Sequence, residues 1–272
     1  MLCFYSTLFC FNLGLSNKVP PIPLGLAIDC QISSQCYTCL MQACHVRCLG
    51  LVPYQQAWDL QIQLARQIAA GEIPPTLLLL EHPHTFTFGR RGQAANLLWS
   101  ESELKQRGVK VYWVDRGGDV TYHGPGQLVG YPLVPLNING LVTSTQADSS
   151  TLPQADYIGY LRKLEQVPIL ALRHFGVKGE RIKNLTGVWV NGSKIAAIGV
   201  KVDSHGITRH GFALNVAPDM SFWDGIIGCG LSGYSVTSLA ILLSAPPSMQ
   251  QVIQALVTAF EDVFKVACQL IS

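Results

Sequence analysis

Hydrophobic positions recur with two different periods along this chain, and the periods separate helices from strands. Along residues 54–70, Trp58, Ile62 and Ala65 fall on one face at helical spacing. Gly71 interrupts the run, and two prolines follow it at positions 74 and 75. The pattern therefore predicts an amphipathic helix that ends close to residue 70.

Shorter apolar or alternating runs predict strands in the middle of the chain. These runs cover residues 76–80, 85–88, 109–114, 128–136 and 210–216. Two more runs, 187–190 and 194–202, flank Asn191 and Gly192, a pair suited to a hairpin turn because both residues tolerate positive φ. The second strand of that hairpin then opens at Lys194.

Two later segments return to helical spacing. One begins near Gln154 and carries Ile158 and Leu164 on its apolar face, and Pro168 should kink it or end it. The other begins at Ser248, where the spacing fits a capping box, and runs to the end of the chain. Helices at both ends with strands between them predict an α/β (α+β) domain in which helices flank a mixed sheet.

Composition indicates one globular domain. Of 272 residues, 49% are hydrophobic and 13% are charged, which is enough apolar material for a large core. Because 19 basic and 17 acidic residues leave a net charge of only +2, bulk charge does not favour nucleic-acid binding. We expect one catalytic domain over residues 49–272, and an extension over residues 1–48 that is disordered or an artefact of start-site assignment.

Cysteines are concentrated near the N-terminus, with seven of the nine in the first 50 residues. Cys36 and Cys39 are followed by Cys44 and Cys48, but the loop between the two pairs is shorter than in the usual zinc sites, so we expect no metal there. The apolar stretch 2–15 lacks a basic flank and is too short to span a bilayer, which takes roughly 20 residues. The sequence therefore predicts neither a signal peptide nor a membrane anchor.

A glycine-rich stretch at residues 116–127 combines four glycines with Arg116 and His123. Glycine lets backbone amides approach a ligand closely, as anion-binding loops require. The stretch matches neither the GxxxxGK(S/T) phosphate loop nor GxGxxG. Composition alone leaves it open between a ligand-binding loop and a glycine-rich turn that contains a satisfied histidine.

Cys229 is the best nucleophile candidate, because it is flanked by glycines and precedes a predicted helix start, where thiolate is favoured. Cys268 is assigned instead to a core or surface position on the C-terminal helix. A thiol with a pKa near ~8.5 is largely protonated at pH 7 and needs an activator. Lys194, His210 and His123 are candidates, although Lys194 could equally be an exposed turn lysine, and spacing alone does not choose between them.

Five motifs occur in order along the chain. They are RGGDVTYHGPGQ from Arg116, GVWV from Gly187, KIAAIGV from Lys194, HGFALN from His210 and CG from Cys229. Together they resemble the lipoyl(octanoyl) transferases of lipoate biosynthesis, over about residues 50–264. The resemblance implies the fold of the biotin and lipoate protein ligases and an acyltransferase that works by a ping-pong mechanism.

The same resemblance implies roles for individual residues. Cys229 matches the acyl-thioester nucleophile of the family, and Lys194 matches the lysine that lowers the pKa of that thiol and handles protons. The substrate contacts of the family fall on Arg116, Gly117, Gly118, Asp119, Val120, Thr121, Tyr122 and His123, on Ala197, Ile198 and Gly199, and on Gly211, Phe212 and Ala213. Gly228 departs from the pattern, since family members usually carry proline before the cysteine, which puts the rigidity of this loop in doubt.

The implied reaction takes an octanoyl or lipoyl group from acyl carrier protein to a lysine of a lipoyl domain. The implied acceptors are E2 subunits of 2-oxoacid dehydrogenases and the glycine cleavage H protein. No cofactor, metal or ATP is needed, since conversion of a thioester to an amide is downhill. We expect a cytoplasmic monomer that binds neither nucleic acid nor membranes.

Three alternatives stay open. An ATP-dependent lipoate or biotin protein ligase on the same fold would need no nucleophilic cysteine, and ATP dependence would identify it. A non-catalytic protein that binds carrier domains would not need both Cys229 and Lys194. A cysteine hydrolase would require water to outcompete the amine at the acyl-enzyme.

Overall fold

The computed structural model describes residues 42–136, 156–228 and 234–271. Within these ranges the strands are β1 (Gln42–Leu51), β2 (Thr76–Glu81), β3 (Thr85–Phe88), β4 (Lys110–Trp113), β5 (Val120–His123), β6 (Gln127–Leu133), β7 (Glu180–Ile182), β8 (Leu185–Val190), β9 (Ser193–Val202), β10 (Thr208–Asn215) and β11 (Val266–Leu270). The α-helices are α1 (Tyr54–Ala69), α2 (Glu101–Gln106), α3 (Tyr157–His174), α4 (Leu239–Leu242) and α5 (Met249–Phe264). Two short 3-10 helices cover Ala94–Asn96 and Met220–Gly225.

The described strands form two sheets. The large sheet has the order β11-β1-β2-β6-β10-β9-β8-β7, and the small one has the order β4-β3-β5. In the large sheet β1 is parallel to both β2 and β11, and the other neighbours are antiparallel. The mixed sheet and its flanking helices confirm the predicted fold class.

Alternate residues of β2 enter two different cores. Leu77 and Leu79 pack in the cluster that includes α3 and α5, whereas Leu78 and Leu80 pack in the cluster that includes α1. Successive side chains of a strand point to opposite faces, so helices cover both faces of the large sheet. This explains why β2 is continuously apolar rather than alternating.

Several local predictions are confirmed. Helix α1 covers the predicted segment, and the Ser248 side chain accepts from the Gln251 N–H in the predicted capping box. The hairpin turn has φ of 49° at Asn191 and 78° at Gly192, and Lys194 is the second residue of β9. These features depend on residues close together in sequence, which is why sequence patterns predict them.

Three predictions are corrected. Helix α3 runs through Pro168 to His174, because Pro168 is surrounded by buried apolar residues that pack this face on the sheet. Cys268 lies on β11 rather than on a helix, since Lys265 adopts the left-handed conformation and ends α5. The stretch 116–127 is not a continuous loop, because Val120–His123 form strand β5 against β3.

Strand β1 includes residues that were expected to belong to the N-terminal extension. It starts at Gln42, and its buried residues Cys44 and Val46 belong to the main core. The boundary drawn after residue 48 therefore falls inside a strand of the large sheet. Cys36 and Cys39 lie outside the described residues.

Candidate active site

The stretch from Arg116 to Asp119 forms one wall of the site and is tied to both sheets. The Arg116 guanidinium is buried and donates to the carbonyl of Thr87 on β3 at 2.5 Å and to its hydroxyl at 2.9 Å. The Gly117 N–H donates to the carbonyl of Val200 on β9 at 2.9 Å. Gly118 has φ of 89°, which favours glycine. The turn therefore bridges the two sheets through its backbone and one guanidinium.

A cavity, here called the inner cavity, lies between this turn, β5 and strands β9 and β10. Its empty volume is about 460 Å³, and its lining is mostly apolar. All three predicted substrate-binding segments contribute to its lining. The residues are Arg116, Gly118, Asp119, Val120, Thr121 and His123 from the first segment, Ala197, Ile198 and Gly199 from the second, and Gly211, Phe212 and Ala213 from the third. Sequence spacing could not show this convergence, because the segments are up to about 90 residues apart.

Two predicted residues lie elsewhere. Gly117 lines a second cavity, here called the outer cavity, which also contains Lys194. Tyr122 is absent from the inner cavity and packs in the core of the small sheet. Its ring stacks on Phe222, and its hydroxyl lies 3.0 Å from Nδ1 of His84. Tyr122 is therefore part of the aromatic core under the small sheet.

The two cavities adjoin, since both are lined by Gly118, Asp119, Ile198 and Gly199. The outer cavity is larger, with an empty volume of about 1370 Å³. A group bound across these shared residues would therefore contact both the mostly apolar inner cavity and the lysine of the outer one.

The Lys194 side chain is buried and is fixed by close neighbours. Only 7% of its surface is exposed, and Nζ lies 4.8 Å from the centroid of the Trp189 ring, within range of a cation–π contact. A Cβ on Gly187, whose φ is 128°, would lie 2.7 Å from the Ala196 carbonyl oxygen and 3.3 Å from the Lys194 Cε. The glycine thus makes room for the lysine stem, and Lys194 is not an exposed turn residue.

The backbone of Lys194 is also bonded to the segment that follows residue 233. Its N–H donates to the carbonyl of Ser235, and its C=O accepts from the N–H of Thr237, both at 2.9 Å. On the other side of the gap, the N–H of Ile227 donates to the carbonyl of Asn96 at 2.9 Å. Cys229 lies in the gap between these anchors, outside the described residues.

A chain of buried amides connects β5 to the Lys194 anchor. His123 Nδ1 lies 2.8 Å from the Gln127 Oε1, and the Gln127 Nε2 donates to the Asn215 Oδ1 at 2.9 Å. The Asn215 Nδ2 then donates to the carbonyl of Thr237 at 3.0 Å. Because the amide oxygen of Gln127 accepts, His123 carries its proton on Nδ1. The chain fixes the orientation of His123 and the position of the Lys194 anchor together.

Several residues of the inner cavity were not predicted as substrate contacts. Tyr54 from α1, Tyr131 from β6 and His210 from β10 all line it. Asp115, which precedes the Arg116 motif, accepts from Arg209 at 2.6 Å and from His210 Nε2 at 2.8 Å. Its place beside a candidate motif was the one signal in the sequence that could have identified it.

Burial determines the charge state of the histidines around this cavity. Desolvation lowers the pKa of His82 to about 4, lowers that of His123 well below its ordinary value, and lowers that of His210 despite its hydrogen bond to Asp115. The hydrogen bond from His210, with help from Arg209, lowers the pKa of Asp115 to about 2. At neutral pH the three imidazoles are therefore neutral, and the Asp115 carboxylate beside His210 is ionised and paired.

Neither a metal-ligand cluster nor a membrane-spanning helix is present in the described ranges. No three His, Cys, Asp or Glu side chains there come together in an arrangement suited to a metal ion. Nor does any helix in those ranges combine the length and apolarity that crossing a bilayer requires.

Comparison with known proteins places this geometry in context. Residues 53–261 match the family model of the lipoyl protein ligase A/B catalytic domain. The octanoyltransferase of Rubrobacter xylanophilus is 48% identical over 215 residues, which cover 79% of this chain and 90% of that protein. The octanoyltransferase of Chloroflexus aurantiacus is 46% identical over 226 residues, which cover 82% and 95%.

Solved structures share the fold at low sequence identity. A bipartite lipoate protein ligase from Thermoplasma acidophilum, reported with its E2 lipoyl domain, gives a TM-score of 0.59 at 16% identity over 85% of this chain and 88% of that chain. A lipoate-protein ligase A bound with ATP gives 0.60 at 16% identity over 84% and 89%. At such identities the likeness shows the fold alone, and it confirms the ligase-like fold that the sequence motifs implied.

Proposed function

The chain belongs to the octanoyltransferases that carry the lipoyl protein ligase A/B catalytic domain, and we propose on that premise how it transfers its acyl group. The enzyme is an acyltransferase of protein lipoylation. In the proposed cycle Cys229 accepts octanoyl from octanoyl-acyl carrier protein as a thioester. A lysine of a lipoyl domain then takes the group as an amide.

The position of Lys194 is the observation that carries this proposal. Its buried side chain lines the outer cavity, which adjoins the inner one, and its backbone is bonded to the segment that follows the Cys229 stretch. Residues 229–233 connect anchors on both sides, and a span from residue 228 to 234 extends at most roughly 20 Å. We infer that the Cys229 thiol reaches Lys194 across this short connection.

The chemistry divides into two balanced steps. In the first, the Cys229 thiolate attacks the carbonyl carbon of the donor thioester, a new C–S bond forms, and the carrier thiolate leaves and takes up a proton. In the second, a neutral acceptor amine attacks the enzyme thioester, the C–N bond forms, and the Cys229 thiolate leaves. The amine loses one proton in this step, and a neutral Lys194 can receive it.

The ammonium form of Lys194 has the complementary role. A cation close to the sulfur stabilises thiolate, and each unit by which the thiol pKa falls corresponds to about 1.4 kcal/mol. Backbone N–H groups of residues 197–199, or those of residues 229 and 230 outside the described ranges, are the candidate donors for the oxyanion of each tetrahedral intermediate. The mostly apolar inner cavity accommodates the hydrocarbon chain.

The acyl donor and acceptor define the partners in this proposal. The donor is octanoyl-acyl carrier protein, and the acceptors are lipoyl domains of E2 subunits and the glycine cleavage H protein. The enzyme acts as a monomer in the cytoplasm, where reducing conditions keep Cys229 as a thiol. The free energy for amide formation comes from the thioester, so ATP has no part in the cycle.

Intact-mass spectrometry after incubation with octanoyl-acyl carrier protein tests the covalent step. We expect wild type to gain the mass of one octanoyl group and to lose it when a lipoyl domain is added. Cys229→Ala should gain no mass, whereas Cys48→Ala, which removes an exposed thiol on β1, should behave like wild type. Modification of the lipoyl domain that requires ATP and free octanoate, with no adduct on wild type, would instead identify a ligase.

A second set of variants tests the role of Lys194. Lys194→Ala should lose most of the transfer activity, and Lys194→Arg should not fully restore it, because arginine remains charged and cannot accept a proton. Lys201→Ala, on the same strand, serves as the matched control and should keep the wild-type rate. Full activity in Lys194→Arg would show that the role is purely electrostatic.

A further inference from the structure

His210 forms part of the inner cavity wall and is held there by two partners. Its Nε2 lies 2.8 Å from the Asp115 Oδ1, and its Nδ1 lies 3.5 Å from the Tyr54 hydroxyl. Asp115 accepts through its other oxygen from Arg209 at 2.6 Å. Since a carboxylate only accepts, His210 donates from Nε2 and accepts from Tyr54 at Nδ1. Both ring nitrogens are therefore occupied.

The backbone fixes the direction of the His210 side chain as well. Its φ is 57°, which is uncommon for a residue with a side chain, and its N–H donates to the Gln61 Oε1 on α1 at 2.7 Å. Only 1% of His210 is exposed. Rotation of the ring away from the cavity would take this partner from the buried Tyr54 hydroxyl and would leave Asp115 with Arg209 alone, which is costly.

His210 lies at the end of the site opposite to Lys194. In the β9–β10 pairing it faces Val200, six residues beyond Lys194, so roughly 20 Å of strand separate the two positions. Between them, Ala197, Ile198 and Gly199 line the inner cavity. An acyl chain whose carbonyl carbon reacts near Lys194 therefore extends toward His210.

Resting on the proposed acyl transfer, we propose that His210, held by Asp115, closes the acyl-binding cavity and limits the length of the chain that the enzyme accepts. An octanoyl tail is less than half as long as the strand distance between Lys194 and His210 and ends before this wall, whereas a hexadecanoyl tail is nearly as long as that distance. A longer tail has to press its last methylenes against a ring that is hydrogen-bonded on both sides and cannot retreat without losing those bonds. His210 determines specificity, and Asp115 is a positioning residue that acts through it.

The test compares acyl-enzyme formation from octanoyl- and hexadecanoyl-acyl carrier protein by intact mass. His210→Asn replaces the ring in the cavity wall with a shorter side chain, and asparagine tolerates the left-handed backbone. We expect its ratio of hexadecanoyl to octanoyl loading rates to rise at least about tenfold over wild type, since a single methylene is worth that much in a fitted pocket. Asp115→Asn should shift the ratio in the same direction by less, because the ring keeps its place but loses its charged partner.

Matched variants in the exposed turn between β9 and β10 serve as controls. His205→Asn and Asp203→Asn make the same chemical changes outside the cavity and should keep the wild-type ratio. If His210→Asn and Asp115→Asn load both substrates more slowly by the same factor, so that the ratio of loading rates is unchanged, the inference is overturned and only a structural role is left. If His210→Asn does not fold, the ratio of loading rates in Asp115→Asn alone decides whether the inference holds.

The same data separate this inference from the proposed function. Wild type that forms no adduct with any acyl carrier protein would refute the covalent mechanism itself. Wild type that loads octanoyl normally, together with variants that keep the wild-type ratio, would refute only the role of His210.

Discussion

Acid should destabilise this protein well above the pH at which carboxylates titrate, because three histidines near the inner cavity are buried in the neutral form. The clearest case is His82, whose ring nitrogens lie 2.7 Å from the Val52 carbonyl and 2.8 Å from the Tyr131 hydroxyl. Burial lowers the pKa of His82 from 6.5 to about 4. Below pH 6.5 His82 takes up a proton in the unfolded chain but stays neutral in the folded protein, so stability falls as the pH falls toward 4.

The magnitude follows from these two pKa values. Between pH 7.5 and 5.5, His82 alone should lower the free energy of unfolding by about 1.3 kcal/mol. The pKa values of His123 and His210 are lowered in the same direction, so this figure is a lower bound for the whole protein. Asp115, with a pKa of about 2, remains ionised throughout this window.

Urea denaturation at the two pH values, followed by circular dichroism at constant ionic strength, measures the difference. His82→Gln should reduce the pH-dependent loss by about 1.3 kcal/mol, whatever its effect on stability at pH 7.5. A loss of less than about 0.5 kcal/mol in wild type would refute the reasoning. An equal loss in wild type and His82→Gln would exclude His82 as its source.

Three further variants probe the framework. Gly187→Ala should slow octanoyl transfer at least about tenfold, because the added methyl meets the Ala196 carbonyl oxygen at 2.7 Å and the Lys194 stem at 3.3 Å. Gly176→Ala, where φ is also positive at 74° but the space is open, should keep the wild-type rate, and equal rates in the two variants would contradict the argument. Asn215→Leu breaks the amide chain between β6 and the segment before α4 and should lower the free energy of unfolding by about 2 kcal/mol, so an unchanged urea midpoint would count against it. Leu77→Ala should lower the free energy of unfolding by about 2–5 kcal/mol, because it leaves a cavity in the main core. The KM for the acyl donor should be unchanged at a temperature where the protein stays folded. A loss of unfolding free energy below about 1 kcal/mol would mean that the core closes around the gap.

The sequence predicts those features that depend on neighbouring residues. Helix α1, the turn at Asn191 and Gly192, and the cap at Ser248 all follow from local periodicity or local backbone preference. Strand β5 was missed because its four residues are enclosed by glycines. The continuation of α3 past Pro168 was missed because packing on the sheet offsets the lost hydrogen bond there.

The site was predicted in part for the same reason. Its three motif segments could be located along the chain, and the structure brings them together around one cavity. Tyr54, Tyr131 and Asp115 could not be assigned to it, because their positions follow from the order of strands in the large sheet and from how α1 lies on it. A residue's distance from a site in space is set by this topology and not by its distance in sequence.

Strands β1 and β11 are neighbours in the finished sheet but come from the first and last parts of the chain that the structure describes. Gln42 pairs with Val266, so a ribosome makes one partner more than two hundred residues before the other. Until then the open edge of β1 exposes unpaired N–H and C=O groups, which is the kind of surface through which growing chains associate. Loss of the last few residues by proteolysis or truncation would make that open edge permanent and would favour aggregation over loss of catalysis as the first defect.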